Sequence, residues 1–236
     1  MASFALVERQ WATYRTVVSH DLMEHRALSS ATAAALEQWL GQRPAGQPAP
    51  AMVDLGCGDL ALLAPMLQTL PLGSYTGLDL TPAVLPLAEA ALGSVPYPTR
   101  WVEGDLLAWV NSDGPPVELI HSAFALHHLT DAQKGQFLRA ARRRLAPGGL
   151  LLWGDVFREP GEALNAYRQR YSDRIRQGWQ GLTLEQQSQV IDHLGSFDIP
   201  AERGSIEALA QQEGWSWRWA WQGTHQAEAL ALLTPI

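Results

Sequence analysis

The chemistry-bearing stretch of the chain is Ala51-Met52-Val53-Asp54-Leu55-Gly56-Cys57-Gly58-Asp59-Leu60. An apolar run ends in an acid, a tight Gly-x-Gly turn follows, and an Ala/Leu-rich helical pattern extends from Leu60 to about Leu70. This is the pattern of a strand, a glycine turn and a helix. Glycine is required there because a Cβ would block the bend and the approach of a ligand to the backbone. Asp79 ends the next apolar run, 21 residues after Gly58, where a carboxylate can accept hydrogen bonds from both hydroxyls of a ribose. Gly104-Asp105-Leu106 follows a third run, and its acid can accept from an adenine amino group. Asp54 can brace the loop amides or face a cationic ligand. The segment Gly56 to Ala61 also fits the dinucleotide fingerprint G-x-G-x-x-G/A, so the turn alone leaves a nucleotide alternative open.

Five histidines, His20, His25, His121, His127 and His128, are candidate bases. His121 and His127 stand near the carboxyl ends of strands, where open α/β sheets bind ligands. Each could instead be an ordinary packed or solvated histidine. In the second half, Tyr167, Tyr171 and Arg174 share a helix face at spacings of four and three. That face could read a carboxylate, and the alternative is a solvated arginine-rich surface. Trp215, Trp217, Trp219 and Trp221 recur at period two, which predicts four rings on one sheet face packed against a helix.

These residues need elements to position them. Residues 4–40 are read as helical, with Val7, Trp11, Tyr14 and Val18 on one face and a second helix over about Ser29 to Leu40. Gly41 to Pro50 is a Pro/Gly linker taken as the start of the core. Strands are predicted at Ser74–Asp79, Thr99–Glu103, Val117–His121 and Leu150–Val156. Thr81 and Asp131 are expected to cap helices reaching about Leu92 and Leu145. Arg142-Arg143-Arg144 complement the negative end of the second helix. Two further helices (about Glu162–Gly178 and Leu184–Leu194) precede one at Glu202–Glu213, and a hairpin of Trp215–Trp221 and Ala227–Leu233 closes the chain. Alternating apolar strands and helices imply a parallel sheet covered on both faces.

At 236 residues and 47% hydrophobic, the chain is expected to be one domain with a sizeable core. A net charge of −7, with a single lysine, argues against a nucleic-acid partner, which needs a basic footprint. One cysteine excludes an internal disulfide and suggests a reducing compartment, so a cytoplasmic location is expected. The charged N-terminus does not read as a signal peptide, and no apolar run approaches a membrane span. No zinc-like Cys/His spacing is present, so no metal is expected. Oligomeric state is not legible.

Taken together, Val53-Asp54-Leu55-Gly56-Cys57-Gly58, Gly77-Leu78-Asp79, Gly104-Asp105-Leu106, Phe124-Ala125-Leu126-His127-His128-Leu129 and Leu145-Ala146-Pro147-Gly148-Gly149 resemble the motifs of class I S-adenosylmethionine-dependent methyltransferases. The resemblance implies an α/β fold: a seven-stranded, mostly parallel Rossmann-like sheet of order 3-2-1-4-5-7-6 whose last strand is antiparallel. Helices would lie on both faces, with a helical cap. It implies a single domain, 1–236, divided into a cap (1–42), a core (51–157 and 200–236) and a helical lid (158–198). The cofactor contacts would fall on Asp54, Gly56, Cys57, Gly58, Asp79, Leu80, Asp105, Leu106, Ser122 and Ala123, with His127, His121 and His20 as candidate bases. The implied reaction is in-line methyl transfer to a small-molecule acceptor under an enclosing cap. Leu60 stands where the family usually has a third glycine. The alternatives are an NAD-dependent oxidoreductase, a non-catalytic S-adenosylmethionine-binding protein, and an RNA methyltransferase, the last disfavoured by acidity.

Overall fold

The structure is a computed structural model that describes residues 4–236, and the side chains of residues 12–236. Val7 and Trp11 lie outside the described side chains. The chain begins with two helices, α1 (Phe4–Ser19) and α2 (His25–Gly41). It then builds β1 (Ala51–Leu55), α3 (Ala64–Leu67), β2 (Ser74–Asp79), α4 (Leu85–Leu92), β3 (Thr99–Glu103), α5 (Leu106–Asn111), β4 (Val117–Ala123), α6 (Asp131–Arg144) and β5 (Leu145–Arg158). Helices α7 (Leu164–Gly178) and α8 (Leu184–Ser196) follow. A two-residue strand β6 (Ala201–Glu202), α9 (Arg203–Gln212), β7 (Trp215–Gln222) and β8 (Glu228–Pro235) complete the fold.

The sheet order is β3-β2-β1-β4-β5-β8-β7, with β6 pairing off this path to β5. This is the expected order, renumbered because β6 was not foreseen. β8 runs antiparallel to both β5 and β7. The chain moves outward from β1 to β3 and then returns to place β4 on the other side of β1. Crossovers therefore diverge between β1 and β4, the place where open α/β sheets leave a crevice for ligands.

Side chains alternate across the sheet, so both faces need cover. Val53, Leu55, Leu151 and Trp153 pack on one side with Phe137, Leu138 and Ala141 of α6 and Ile206 and Ala210 of α9. Met52, Leu119, Leu150 and Leu152 pack on the other with Leu67, Ala88 and Leu92. Leu28, Ala35 and Leu36 of α2 belong to this second layer, and Leu28 lies so close over Gly154 that a Cβ there would meet it at 3.0 Å. So α2 is a covering layer of the sheet, and the Gly41–Pro50 linker is a connection within the core, not its boundary. Leu36→Ala is expected to cost about 2–5 kcal/mol, because the residue is fully buried. Chemical denaturation would measure it; a dispensable cap would show no loss.

Several local expectations change in three dimensions. The helix after the glycine turn is only Ala64–Leu67, preceded by turns. Thr130, not Asp131, caps α6, through a capping box with Gln133. Thr81 makes no capping bond; its amide donates to Asp79 instead, at 2.8 Å. Helix α2 begins at His25, and α5 was not predicted. The period-two tryptophans do not all share a face. A bulge between Trp219 and Trp221 shifts the register, leaving Trp215, Trp217 and Trp219 against one layer and sending Trp221 to the other. One extra residue in a strand reverses every following side chain.

Candidate active site

The turn after β1 is shaped by glycine. Gly56 has φ 80°, and a Cβ on it would sit 2.6 Å from the Ala125 Cβ. Gly58 has φ 56° and open space beside it. Leu60, at the usual third-glycine position, keeps the left-handed conformation (φ 55°), and its side chain is buried in the layer that holds Leu28 and Leu36. Leu60 is thus a packing residue in a glycine's backbone geometry. The turn amides are already committed: Gly56 and Cys57 donate to the Leu78 carbonyl at 2.8 and 3.0 Å, and Gly58 to the Asp79 carboxylate at 2.9 Å.

Asp54 and His121 are paired across β1 and β4 in register, which places both side chains at the crevice. Asp54 is 1% exposed and does not brace the loop amides. It accepts from the Tyr75 hydroxyl at 2.9 Å and lies 2.7 Å from His121 Nδ1. A carboxylate on Nδ1 holds the proton there and leaves Nε2 with a lone pair. Both residues line a cleft shared with Gly56, Cys57, Gly58 and Ala123. Burial, followed by the Asp54 and Asp79 carboxylates, pushes the Cys57 thiol well above its usual range, so it is an inert packing group.

The other predicted contact residues follow the carboxyl edge of the sheet. Asp79 is half-buried, its two oxygens holding the Gly58 and Thr81 amides. Each oxygen retains a free lone pair. Leu80 beside it is 69% exposed, an apolar surface that a ligand would cover. Asp105 is exposed and caps α5 through Ala108 N at 2.8 Å, with Leu106 next to it. Ser122 is buried and spends its hydroxyl on the Leu55 carbonyl at 2.8 Å, so it braces β1 to β4.

The N-terminal helices close the cleft with residues the motifs did not mark. Tyr14 and Val18 of α1, and His25 and Leu28 of α2, line it with Phe124. Phe124 adopts φ 51°, a strained state for an aromatic residue, and its ring lies tilted against His25 with centroids 4.8 Å apart. The turn before α2 is anchored by Glu24, which accepts from Thr224 N and Oγ1 at 3.0 and 2.8 Å. His25 is 4% exposed and neither ring nitrogen has a hydrogen-bond partner. Burial lowers its pKa from 6.5 to about 4, against a smaller opposing pull from Asp21. The folded protein therefore binds a proton on His25 less readily than the unfolded chain. Its contribution to stability is complete above pH 6.5 and is lost as pH falls through 4. Between about pH 7 and pH 5 the loss is roughly 2 kcal/mol. Urea unfolding of His25→Phe should show a flatter profile over that window than the parent.

Other predicted residues fall elsewhere. His20 is exposed at the end of α1, with Nδ1 3.1 Å from the Thr16 carbonyl. His127 does not line the cleft; its Nδ1 is 2.6 Å from Asp155, which also accepts from the His127 amide and from Trp153 Nε1. Burial alone would lower the His127 pKa, but Asp155 and then Asp198 raise it overall. On the Tyr167–Arg174 face, Tyr171 and Arg174 are engaged within the protein. Both tyrosines are buried, and Tyr171 and Arg174 both bond Glu228, at 2.7 and 2.6 Å. Arg170 pairs with Glu162, Arg168 with the Asp198 carbonyl and Arg176 with Asp173.

Residues 53–151 match a family model described as a methyltransferase domain. Over 120 residues the chain is 29% identical to an uncharacterized methyltransferase of Geobacillus kaustophilus (strain HTA426), covering 49% of this chain and 53% of that one. Over 103 residues it is 33% identical to a trans-aconitate 2-methyltransferase of Azoarcus sp. (strain BH72), covering 44% and 38%. The match thus spans about half or less of each of these relatives. Among solved structures, the DhpI–SAH complex superposes with a TM-score of 0.58 at 18% identity, covering 99% and 98%. Residues 53–151 are thus similar to a methyltransferase domain, and the whole chain shares the fold of the DhpI–SAH complex. No helix among the described residues is long and apolar enough to cross a membrane.

Proposed function

We propose that the protein transfers a methyl group from S-adenosylmethionine to an oxygen or nitrogen of a small-molecule acceptor, with His121 as the base. The observation that carries this reading is the His121–Asp54 pair, which opens on the same cleft as the glycine turn. The residues fit this cofactor better than a dinucleotide. A pyrophosphate needs free amides at a helix N-terminus, whereas here the turn amides are taken and the four-residue α3 starts beyond them at Ala64. Asp54, Asp59 and Asp79 surround the turn with negative charge, which suits a cationic ligand. The bound cofactor supplies a methyl group already activated on a positive sulfur.

The chain's own work is then positioning and proton handling. Gly56, Cys57 and Gly58 cradle the amino-acid end, Asp79 holds the ribose, Leu80 and Leu106 cover the base, and Asp105 accepts from its amino group. Ala123 and Phe124 form the wall toward the acceptor. His121 Nε2 takes the acceptor's proton while Asp54 stabilises the resulting imidazolium, a role worth about 10²–10⁴-fold where the acceptor must be deprotonated. Alignment in a water-poor cleft supplies the larger part of the acceleration.

No Lys or Arg is among the described lining residues, and the lid arginines are paired internally. The acceptor is therefore neutral or cationic in its reacting part, and trans-aconitate, named for the Azoarcus relative, is a poor match. S-adenosylhomocysteine at about 100 times its Kd should raise Tm by roughly 5–10 °C, and NAD should leave it unchanged. The reverse outcome would replace this reading with the oxidoreductase one. Cofactor binding without turnover on any O- or N-nucleophile would favour a non-catalytic binder.

A further inference from the structure

A second cluster lies apart from the cleft, between the core and the helices of residues 158–198. It gathers His127 and His128, in the 3₁₀ turn after β4, with His193 near the end of α8 and Asp198 in the loop beyond it. Asp198 Oδ1 is buried and has no hydrogen-bond partner. Three imidazole nitrogens surround that one oxygen: His128 Nδ1 and His193 Nε2 at 3.4 Å, and His127 Nε2 at 3.7 Å. Ligand atoms on a tetrahedron with bonds of about 2.0–2.1 Å lie about 3.3 Å apart. The His128 and His193 contacts to this oxygen lie near that separation and are longer than ordinary hydrogen bonds.

We propose that His127, His128 and Asp198 bind a divalent transition-metal ion of the zinc class, with solvent as the fourth ligand and His193 beside the Asp198 carboxylate. The three principal ligand atoms converge within 4.8 Å of one another. Two imidazoles and one carboxylate are a donor set that suits such an ion and not a hard cation such as magnesium. Asp155 supplies the outer support. It sits 2.6 Å from His127 Nδ1, which leaves Nε2 free to face the ion, as metal-bound histidines generally require. An entry path exists because the His128 and His193 side chains are 43% and 45% exposed. The local backbone already brings the two elements together, since Ile199 N donates to the His127 carbonyl at 2.8 Å. A bound ion would fasten the end of the helical insertion to the sheet without entering the methyl-transfer cleft.

The sequence shows no metal-ligand spacing because Asp198 stands 71 positions after His127. Only folding joins them. The test uses the tag-free full chain, freed of metal by chelation and titrated with Zn²⁺ by calorimetry and with Co²⁺ by visible absorbance. One ion per chain is expected, with the intense visible bands of four-coordinate Co²⁺ and a rise in Tm. Asp198→Ala and His128→Gln should each weaken binding roughly 100-fold, and His193→Ala about tenfold. His128→Gln changes an accessible side chain and keeps the experiment decisive if Asp198→Ala folds poorly. Absence of stoichiometric binding, or binding untouched in His128→Gln, would overturn the proposal. The result is independent of whether the protein transfers methyl groups.

Discussion

Replacing His121 with Asn is expected to lower kcat by about 10²–10⁴-fold while leaving S-adenosylhomocysteine affinity unchanged. Asn can still donate a hydrogen bond to Asp54, so the buried carboxylate, 1% exposed, keeps a partner and the crevice keeps its shape. What disappears is the Nε2 lone pair proposed to take the acceptor's proton. Single-turnover kinetics, together with calorimetric titration of S-adenosylhomocysteine, separate the two effects. If kcat held steady, deprotonation would have to occur elsewhere, and His25 would be the group to examine, because its unpartnered nitrogens share the cleft. Asp54→Asn is the companion change. It removes the negative charge that holds the proton on Nδ1 and favours the wrong tautomer, so it should lower kcat in the same direction.

The second large effect belongs to Asp79. Asp79→Ala is expected to weaken S-adenosylhomocysteine binding roughly 10²–10³-fold, since each charged hydrogen bond contributes about 1.5–3 kcal/mol. The same carboxylate also holds the Gly58 and Thr81 amides, so its loss loosens the glycine turn as well as removing the proposed ribose contact. Asp79→Asn keeps one acceptor oxygen and should fall between the two. Asp105→Ala should weaken binding less, because that side chain is exposed and already engaged in capping α5. Calorimetry on the three variants ranks them directly. Unchanged affinity in Asp79→Ala would remove the foundation of the cofactor assignment.

Much of the scaffold was legible because its signals are local. Ser74–Asp79 and Thr99–Glu103 were predicted as strands and are β2 and β3 with the same bounds. Apolar residues at strand spacing, bounded by Gly and Asp, leave few alternatives. The glycine turn was equally plain, since Gly56 and Gly58 both adopt positive φ. Where the reading failed, the competing force was tertiary. The Trp215–Trp221 alternation was read as one face, yet the partner strand imposes a bulge after Trp219. The arginine-rich stretch looked available for an anion because its partners Glu162 and Glu228 lie on other elements. The linker before β1 looked like a domain boundary because nothing in its composition shows that α2 returns to cover β5.

By itself, the sequence determined the class of this protein: an alternating α/β chain with a glycine turn and three acids at strand ends, each set by residue type and short spacing. Three things were decided only in the tertiary structure. The cross-strand register of β1 and β4 makes a pair of Asp54 and His121, 67 residues apart. The fold of the N-terminal helices buries His25 without a partner inside the cleft. The docking of α8 brings His193 and Asp198 onto His127 and His128. Periodicity reports which face of an element is apolar, because burial is a property of each residue's own surroundings along the chain. Which polar groups meet depends on how distant elements pack, and that is fixed by the whole core at once.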